Sequence, residues 1–145
     1  MIQPTLFLGA DHAGYQLKES IKSWLIKTGH IVKDLSPTFD KDDDYPAHGK
    51  RVANAVVKTT NGFGILICGS GVGISIAANR VKGARAFDAY DEHITKLARE
   101  HTDANIISLS GWHTSSSQAH RLIGLFLRTP FSTEKRHARR IKQLG

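Results

Sequence analysis

The chain has 145 residues, 40% of them hydrophobic and 23% charged, which suits one domain with its own core. Its single cysteine excludes an internal disulfide and suits a reducing compartment. A formal charge of +7 calls for an anionic partner, although "DKDDDY" (40–45) is locally acidic and much of the excess lies in the terminal "EKRHARRIKQLG".

In chain order, "TLFLG" (Thr5 to Gly9) reads as a first strand. Leu17, Ile21, Trp24 and Leu25 then fall on one face of a helix closed by Gly29. "HIVKDL" (His30 to Leu35) is a second strand, Arg51 to Lys58 a second helix, and "FGILIC" (Phe63 to Cys68) a third strand. A helix follows Gly73, "ARAF" (Ala84 to Phe87) is a fourth strand, and Glu92 to Glu100 is helical. "NIISLS" (Asn105 to Ser110) is the fifth strand, and Ser115 to Arg128 is a helix stopped before Pro130. A last basic helix starts near Ser132 or Thr133, with Glu134 in its first turn.

The first, third and fifth strands are apolar on both faces, as in a sheet covered on both sides. This alternation predicts a single domain (1–145) of the α/β class, a three-layer sandwich around a parallel sheet of about five strands. Ligands of such sheets bind beyond the carboxyl ends of the strands. Here those ends are Ala10–Gly14, Cys68–Gly73, Asp88–His93 and Ser110–His113. No aromatic residue follows Phe131, which argues against stacking on nucleic acid. Nor does any stretch approach the roughly 18 apolar residues of a membrane span. The start "MIQPTLFLGADH" lacks the features of a secretory leader, so the expected location is the cytoplasm.

The segment "ILICGSGVGISIAANR" (65–80) carries the strongest chemical signal. A dinucleotide fingerprint would need glycine where Ile74 stands, and a phosphate-cradling P-loop would need a Lys followed by Ser or Thr. The remaining reading is a loop without side-chain bulk that leads into a helix, whose N–H groups can converge on one negative charge. Glycines there also serve a plain tight turn, and a lone cysteine most often packs as a small hydrophobe. Together, a thiol and an anion-holding loop are what abstraction of a carbon-bound proton requires. The acidic run is not a calcium loop: Tyr45 replaces the required glycine and Arg51 the bidentate glutamate. No His or Cys spacing fits zinc.

"GADHAGYQLK", "DYP", "CGSGVGISIAANR", "KGARA", "HTDANI" and "RHARRI" resemble, in order and spacing, the type B ribose-5-phosphate isomerases. That family includes galactose-6-phosphate isomerase subunits and allose-6-phosphate isomerases. The likeness covers nearly the whole chain and is most specific over 68–80. It implies a cofactor-free enzyme with a Rossmann-like fold, a homo-oligomer (dimer or tetramer) whose active sites are shared between subunits. It further implies aldose–ketose isomerisation of a sugar phosphate through a cis-enediolate, with ribose 5-phosphate and ribulose 5-phosphate favoured.

On this resemblance Cys68 is the base, and Ile74, where other members carry glutamate, marks the cysteine branch. Gly69, Gly71, Val72 and Gly73 form the anion hole, to which Ser70 adds a hydroxyl hydrogen bond as a catalytic residue. Asp11 and His12, otherwise readable as turn residues, contact sugar hydroxyls and the phosphate. Tyr45, in a "DYP" that alone reads as a turn, lines the pocket. His101, which by position merely complements a helix dipole, assists ring opening. Arg136 and Arg140 share a helix face at i and i+4, as in any solvated basic helix; the likeness assigns them to a neighbour's phosphate. Two positions depart from the family. Thr102 stands where asparagine is common, and "SGWH" puts Trp112 where many members have an arginine, with His113 next to it. These departures keep open a hexose 6-phosphate substrate, and a non-catalytic module for an anionic metabolite is the other alternative.

Overall fold

Strands and helices alternate along the chain as the periodicity requires. The computed structural model describes residues 2–145. Its elements are β1 (Thr5–Ala10), α1 (Tyr15–Lys27), β2 (Ile31–Asp34), α2 (Tyr45–Val57), β3 (Gly62–Cys68) and α3 (Val72–Asn79). They continue as β4 (Ala86–Asp88), α4 (Glu92–Thr102), β5 (Ile106–Ser110), α5 (Ser116–Arg128) and α6 (Lys135–Leu144). The five strands form one parallel sheet in the order β2-β1-β3-β5-β4, with Leu8 opposite Ile65 and Ile65 opposite Ile107.

Side chains alternate between the two faces of this sheet, and both faces are apolar. Leu6, Leu8, Ile65, Ile67 and Ile107 pack against Leu17, Ile21 and Leu25 of α1 and Leu122, Ile123 and Phe126 of α5. On the other face, Phe7, Leu66, Cys68 and Ile106 pack against Val52 and Val56 of α2 and Ile74 and Ala78 of α3. Each fully buried Ile or Leu contributes about 1.5–3 kcal/mol, so the three central strands anchor the molecule.

Helix starts follow capping chemistry. Asp91 accepts a hydrogen bond from the Ile94 N–H at 2.8 Å, and Ser115 from that of Gln118 at 3.1 Å. Three expected boundaries move. The α2 helix begins at Tyr45 rather than Arg51, because Pro46 fits the first helical turn, where its missing N–H has no partner to lose. Gly49 stays inside that helix because it lets α2 approach α3; a Cβ there would stand 2.7 Å from the Ile74 carbonyl oxygen. The α3 helix already starts at Val72, its cap being Gly71 in the left-handed region (φ 84°). In α6, Glu134 takes the cap position instead of Ser132 or Thr133, and the Ser132 hydroxyl instead bonds His137 Nδ1 at 2.8 Å. The fourth strand is short, Ala86–Asp88.

From β1 the chain passes to β2 on one side, while β3 lies on the other, so a crevice opens at the carboxyl ends of β1 and β3. Two glycines make that edge tight. A Cβ on Gly14 would strike the Ile67 carbonyl, and one on Gly111 the Ala13 carbonyl. Both obstacles are backbone and cannot step aside. Gly14→Ala is therefore expected to lower stability by about 1–3 kcal/mol, read as a fall in the urea midpoint with an unchanged slope.

Candidate active site

Cys68 is the last residue of β3 and is 4% exposed. Its Sγ accepts the Gly71 N–H at 3.2 Å, so the thiol sits against the glycine loop rather than within the hydrophobic layer alone. The neighbouring strand fixes the loop. Ser108 Oγ donates to the Gly71 carbonyl and Ser110 Oγ to the Gly69 carbonyl, both at 2.6 Å. The Gly111 N–H reaches the Cys68 carbonyl at 2.8 Å, and the Trp112 N–H reaches that of Gly69 at 3.2 Å. With these carbonyls held by β5, the loop can offer an anion the positive end of the α3 dipole and the N–H groups other than those of Gly71 and Val72, which Cys68 Sγ and Ser70 Oγ accept. Ser70 is exposed, and its Oγ accepts the Val72 N–H at 3.2 Å.

Aromatic rings flank the loop at both ends and explain its lack of side chains. A Cβ on Gly73 would lie 2.5 Å from Cζ of Tyr45, and one on Gly69 2.5 Å from Cζ2 of Trp112. Tyr45 is 40% exposed and Trp112 70%, so both rings line the rim without being locked in the core. Beside Ser70 a cleft of about 170 Å³ opens, bounded by Asp88, Tyr90, Ser110 and His113.

Asp11 and His12 leave β1 towards this crevice. Asp11 is buried, and its Oδ1 accepts the Ala13 and Gly14 N–H groups at 3.0 and 3.1 Å, shaping the entry to α1. His12 donates its backbone N–H to Asp43 Oδ1 at 2.9 Å, and its Nδ1 contacts the same oxygen at 2.9 Å. The side-chain bond to Asp43 raises the His12 pKa; partial burial opposes this and the Asp11 charge adds to it. Burial alone would raise the Asp43 carboxyl, but hydrogen bonds from His12 and His48 outweigh it and hold it below the usual carboxylate value. Neither Asp43 nor His48 stands out in the sequence, where Asp43 is one acid in a run that reads as solvated.

The other expected residues are grouped elsewhere. The end of α4 leads into the start of β5, so His101 and Thr102 lie at the amino ends of the strands, with β5 spanning about 13 Å to the thiol edge. There the His101 ring meets His137 of α6 at 4.2 Å between centroids. Thr102 Oγ1 donates to the Ala98 carbonyl at 2.6 Å. Arg136 pairs with Glu134 at 2.8 Å, and Arg140 is exposed. Burial, the neighbouring His101 and the two arginines lower the His137 pKa, which favours a neutral ring between cations. One chain thus brings together Cys68, Gly69–Gly73, Asp11, His12 and Tyr45, and holds His101, Thr102, Arg136 and Arg140 apart from them. Among the described residues, no group of three or more His, Cys, Asp or Glu could hold a metal ion, and no helix is long and apolar enough to cross a membrane.

Fold and site together define an open-sheet α/β protein with its chemistry at the carboxyl ends of the central strands. The Ribose/Galactose Isomerase family matches residues 6–144, and the chain belongs to that family. It is 42% identical over 141 residues to ribose-5-phosphate isomerase B of Mycobacterium tuberculosis, covering 97% of this chain and 87% of that one. The Thermotoga maritima ribose 5-phosphate isomerase superposes with a TM-score of 0.93 at 36% identity, covering 99% of this chain and 98% of that one. The Mycoplasma genitalium ribose-5-phosphate isomerase B, solved with bound ribulose-5-phosphate, gives 0.92 at 38% identity, covering 99% and 95%.

The contact at Gly73 separates rim geometry from stability. In Gly73→Ala the new methyl meets the far end of a half-exposed side chain, which can swing away. Unfolding free energy is expected to change by less than about 1 kcal/mol, while displacement of Tyr45 raises KM for substrate severalfold. Steady-state kinetics alongside a denaturant curve checks both.

Proposed function

We propose that this chain is an aldose–ketose isomerase interconverting D-ribose 5-phosphate and D-ribulose 5-phosphate. The observation that carries this reading is Cys68 at the end of the central strand, in contact with the main-chain N–H of a loop built to hold an anion. In the open-chain aldose, the Cys68 thiolate takes the proton from carbon 2. The C2–H electrons form the C1–C2 double bond, and the carbonyl electrons move onto oxygen 1 as an enediolate. N–H groups of Gly69–Gly73 stabilise that charge, an effect for which losing a single donor typically costs about 3–4 kcal/mol. The thiol then returns the proton to carbon 1, and the hydroxyl proton of oxygen 2 moves to oxygen 1. Electrons stay within the sugar, so the step is redox-neutral and calls on no cofactor.

Binding follows from the same geometry. Asp11 uses Oδ1 on the Ala13 and Gly14 amides ahead of α1 and leaves Oδ2 for sugar hydroxyls. Tyr45 walls the pocket, Ser70 adds a hydroxyl, and His12 faces the phosphate. His101, Thr102, Arg136 and Arg140 lie at the wrong edge to serve their own Cys68, which supports a homo-oligomer in which they complete a neighbour's site. On that arrangement His101 assists ring opening, and the two guanidinium groups, one turn apart on α6, grip the phosphate. The bound ribulose-5-phosphate in the Mycoplasma genitalium relative supports the pentose assignment. Thr102 and Trp112, which stand where relatives commonly carry asparagine and arginine, motivate a second reading, a hexose 6-phosphate as substrate. Turnover of allose 6-phosphate without turnover of ribose 5-phosphate would decide for that reading. The lone free thiol suits the reducing cytoplasm.

Cys68→Ala is expected to lower kcat by about 10²–10⁴ and to abolish solvent-deuterium incorporation into the sugar. Unchanged exchange would remove the thiol as base and leave a binding module as the alternative. Mixing Cys68→Ala chains with His101→Ala chains tests the sharing of sites. Random dimers recover about a quarter of wild-type activity if each site draws on two chains, and none if each chain serves itself.

A further inference from the structure

His12 is joined to the protein interior by a hydrogen-bond chain whose direction can be derived. The Ala10 backbone N–H can only donate, and it donates to Ser36 Oγ at 3.2 Å. Ser36 Oγ lies 2.6 Å from His48 Nδ1, and because the Arg51 guanidinium, which can only donate, faces the same nitrogen, the hydroxyl proton makes that contact. His48 Nδ1 is then the acceptor, in keeping with the Arg51 Nη1 donor at 3.5 Å. The neutral ring carries its proton on Nε2, which donates to Asp43 Oδ2 at 2.8 Å. The other oxygen of Asp43, Oδ1, is left to accept Nδ1–H of His12 together with the His12 backbone N–H, both at 2.9 Å. Ser36 itself is clamped: Asp34 Oδ1 accepts its N–H at 2.9 Å, and the buried Lys18 Nζ donates to its carbonyl at 2.8 Å.

We propose that Ser36, His48 and Asp43 are positioning residues that lock the His12 ring with Nδ1–H on Asp43, so that Nε2 is presented to the anionic group of the substrate. The proposal takes its substrate from the isomerase reading. The chain starts from a backbone donor and the buried Ser36 and runs through the half-buried His48 and Asp43, so the ring is held in place before substrate arrives. The charged groups facing the chain are Asp11 beside His12, Asp43 itself, and Arg51 near His48. Both carboxylates favour the charged ring, and the raised His12 pKa agrees with that. A charged ring with Nδ1–H on Asp43 has one proton left, on Nε2, and that is a charge-assisted donor to a phosphate.

The sign of the pH effect follows. The donor is present below the His12 pKa and lost above it. Removing the Asp43 charge lowers that pKa, so the variant loses the donor at lower pH. The test is Asp43→Asn, read by ¹⁵N NMR titration of His12 without substrate and by kinetics with ribose 5-phosphate. Expected are a lower His12 midpoint, a KM raised about tenfold, a kcat that falls less than KM rises, and a kcat/KM profile whose alkaline limb moves to lower pH. Should Asp43→Asn not fold, His48→Phe removes only the donor that aims Asp43 and should raise KM by a smaller factor, with His48→Gln restoring part of it. A His12 midpoint identical in wild type and Asp43→Asn, or a KM that His48→Phe leaves unchanged, overturns the proposal even if the wild type is a fully active isomerase. A shifted midpoint in a wild type inactive on ribose 5-phosphate sustains the positioning chain and overturns the substrate assignment.

Discussion

Two serine hydroxyls on one strand set the chemistry of its neighbour. Ser108 and Ser110 of β5 take the carbonyls of Gly71 and Gly69, and so decide which way the loop after β3 faces. With the carbonyls committed to the sheet, the loop N–H groups other than those of Gly71 and Val72 are left for a ligand. Cys68, paired with Ser110 in the register, already receives one of the loop's N–H groups. The glycines are the necessary counterpart. Tyr45 and Trp112 approach within what would be van der Waals overlap with any side chain at Gly73 and Gly69. A loop with side chains could still turn, but it could not be enclosed by those rings.

The distribution of charge follows the same division of labour. At the thiol edge the prominent ionic feature is the His12–Asp43 pair, while the exposed arginines of α6 lie at the opposite edge beside His101. The formal charge of +7 is therefore not a diffuse coat. Much of it sits on one amphipathic helix whose buried side rests on α4 through His137 and whose guanidinium groups are in solvent. Such a helix can raise the local concentration of an anionic metabolite and grip it bidentately. Within one chain, however, it lies at the opposite edge of the sheet from the Cys68 thiol. In the proposed homo-oligomer a second copy would close that gap.

Much of this was legible in the sequence. Runs apolar on both faces in the first, third and fifth strands predict a covered parallel sheet, and the thiol beside a bulk-free loop points to the carboxyl end of β3, where Cys68 Sγ meets the Gly71 N–H. The α2 start was missed because "DYP" carries turn composition, whereas Pro46 in fact initiates the helix. Asp43 and His48 were missed for a different reason. Their partners are His12 and Ser36, separated from them by 31 and 12 residues, and no local pattern distinguishes Asp43 from Asp42 or Asp44. Asp11 reads as a turn residue from its loop and as a sugar contact from the resemblance, and its Oδ1 does serve the turn, accepting the Ala13 and Gly14 N–H groups just ahead of α1. Trp112 was visible as a departure from the family, but its position over Gly69 required the fold.

The central claim concerns where the sugar lies relative to one sulfur. A crystal structure of the protein with ribose 5-phosphate bound tests it directly. The account predicts carbons 1 and 2 within reach of Cys68 Sγ, oxygen 1 facing the amides of Gly69–Gly73, and the phosphate held by arginines of another copy. A sugar lodged away from the β3 edge, with Sγ separated from it by packed side chains, would contradict it.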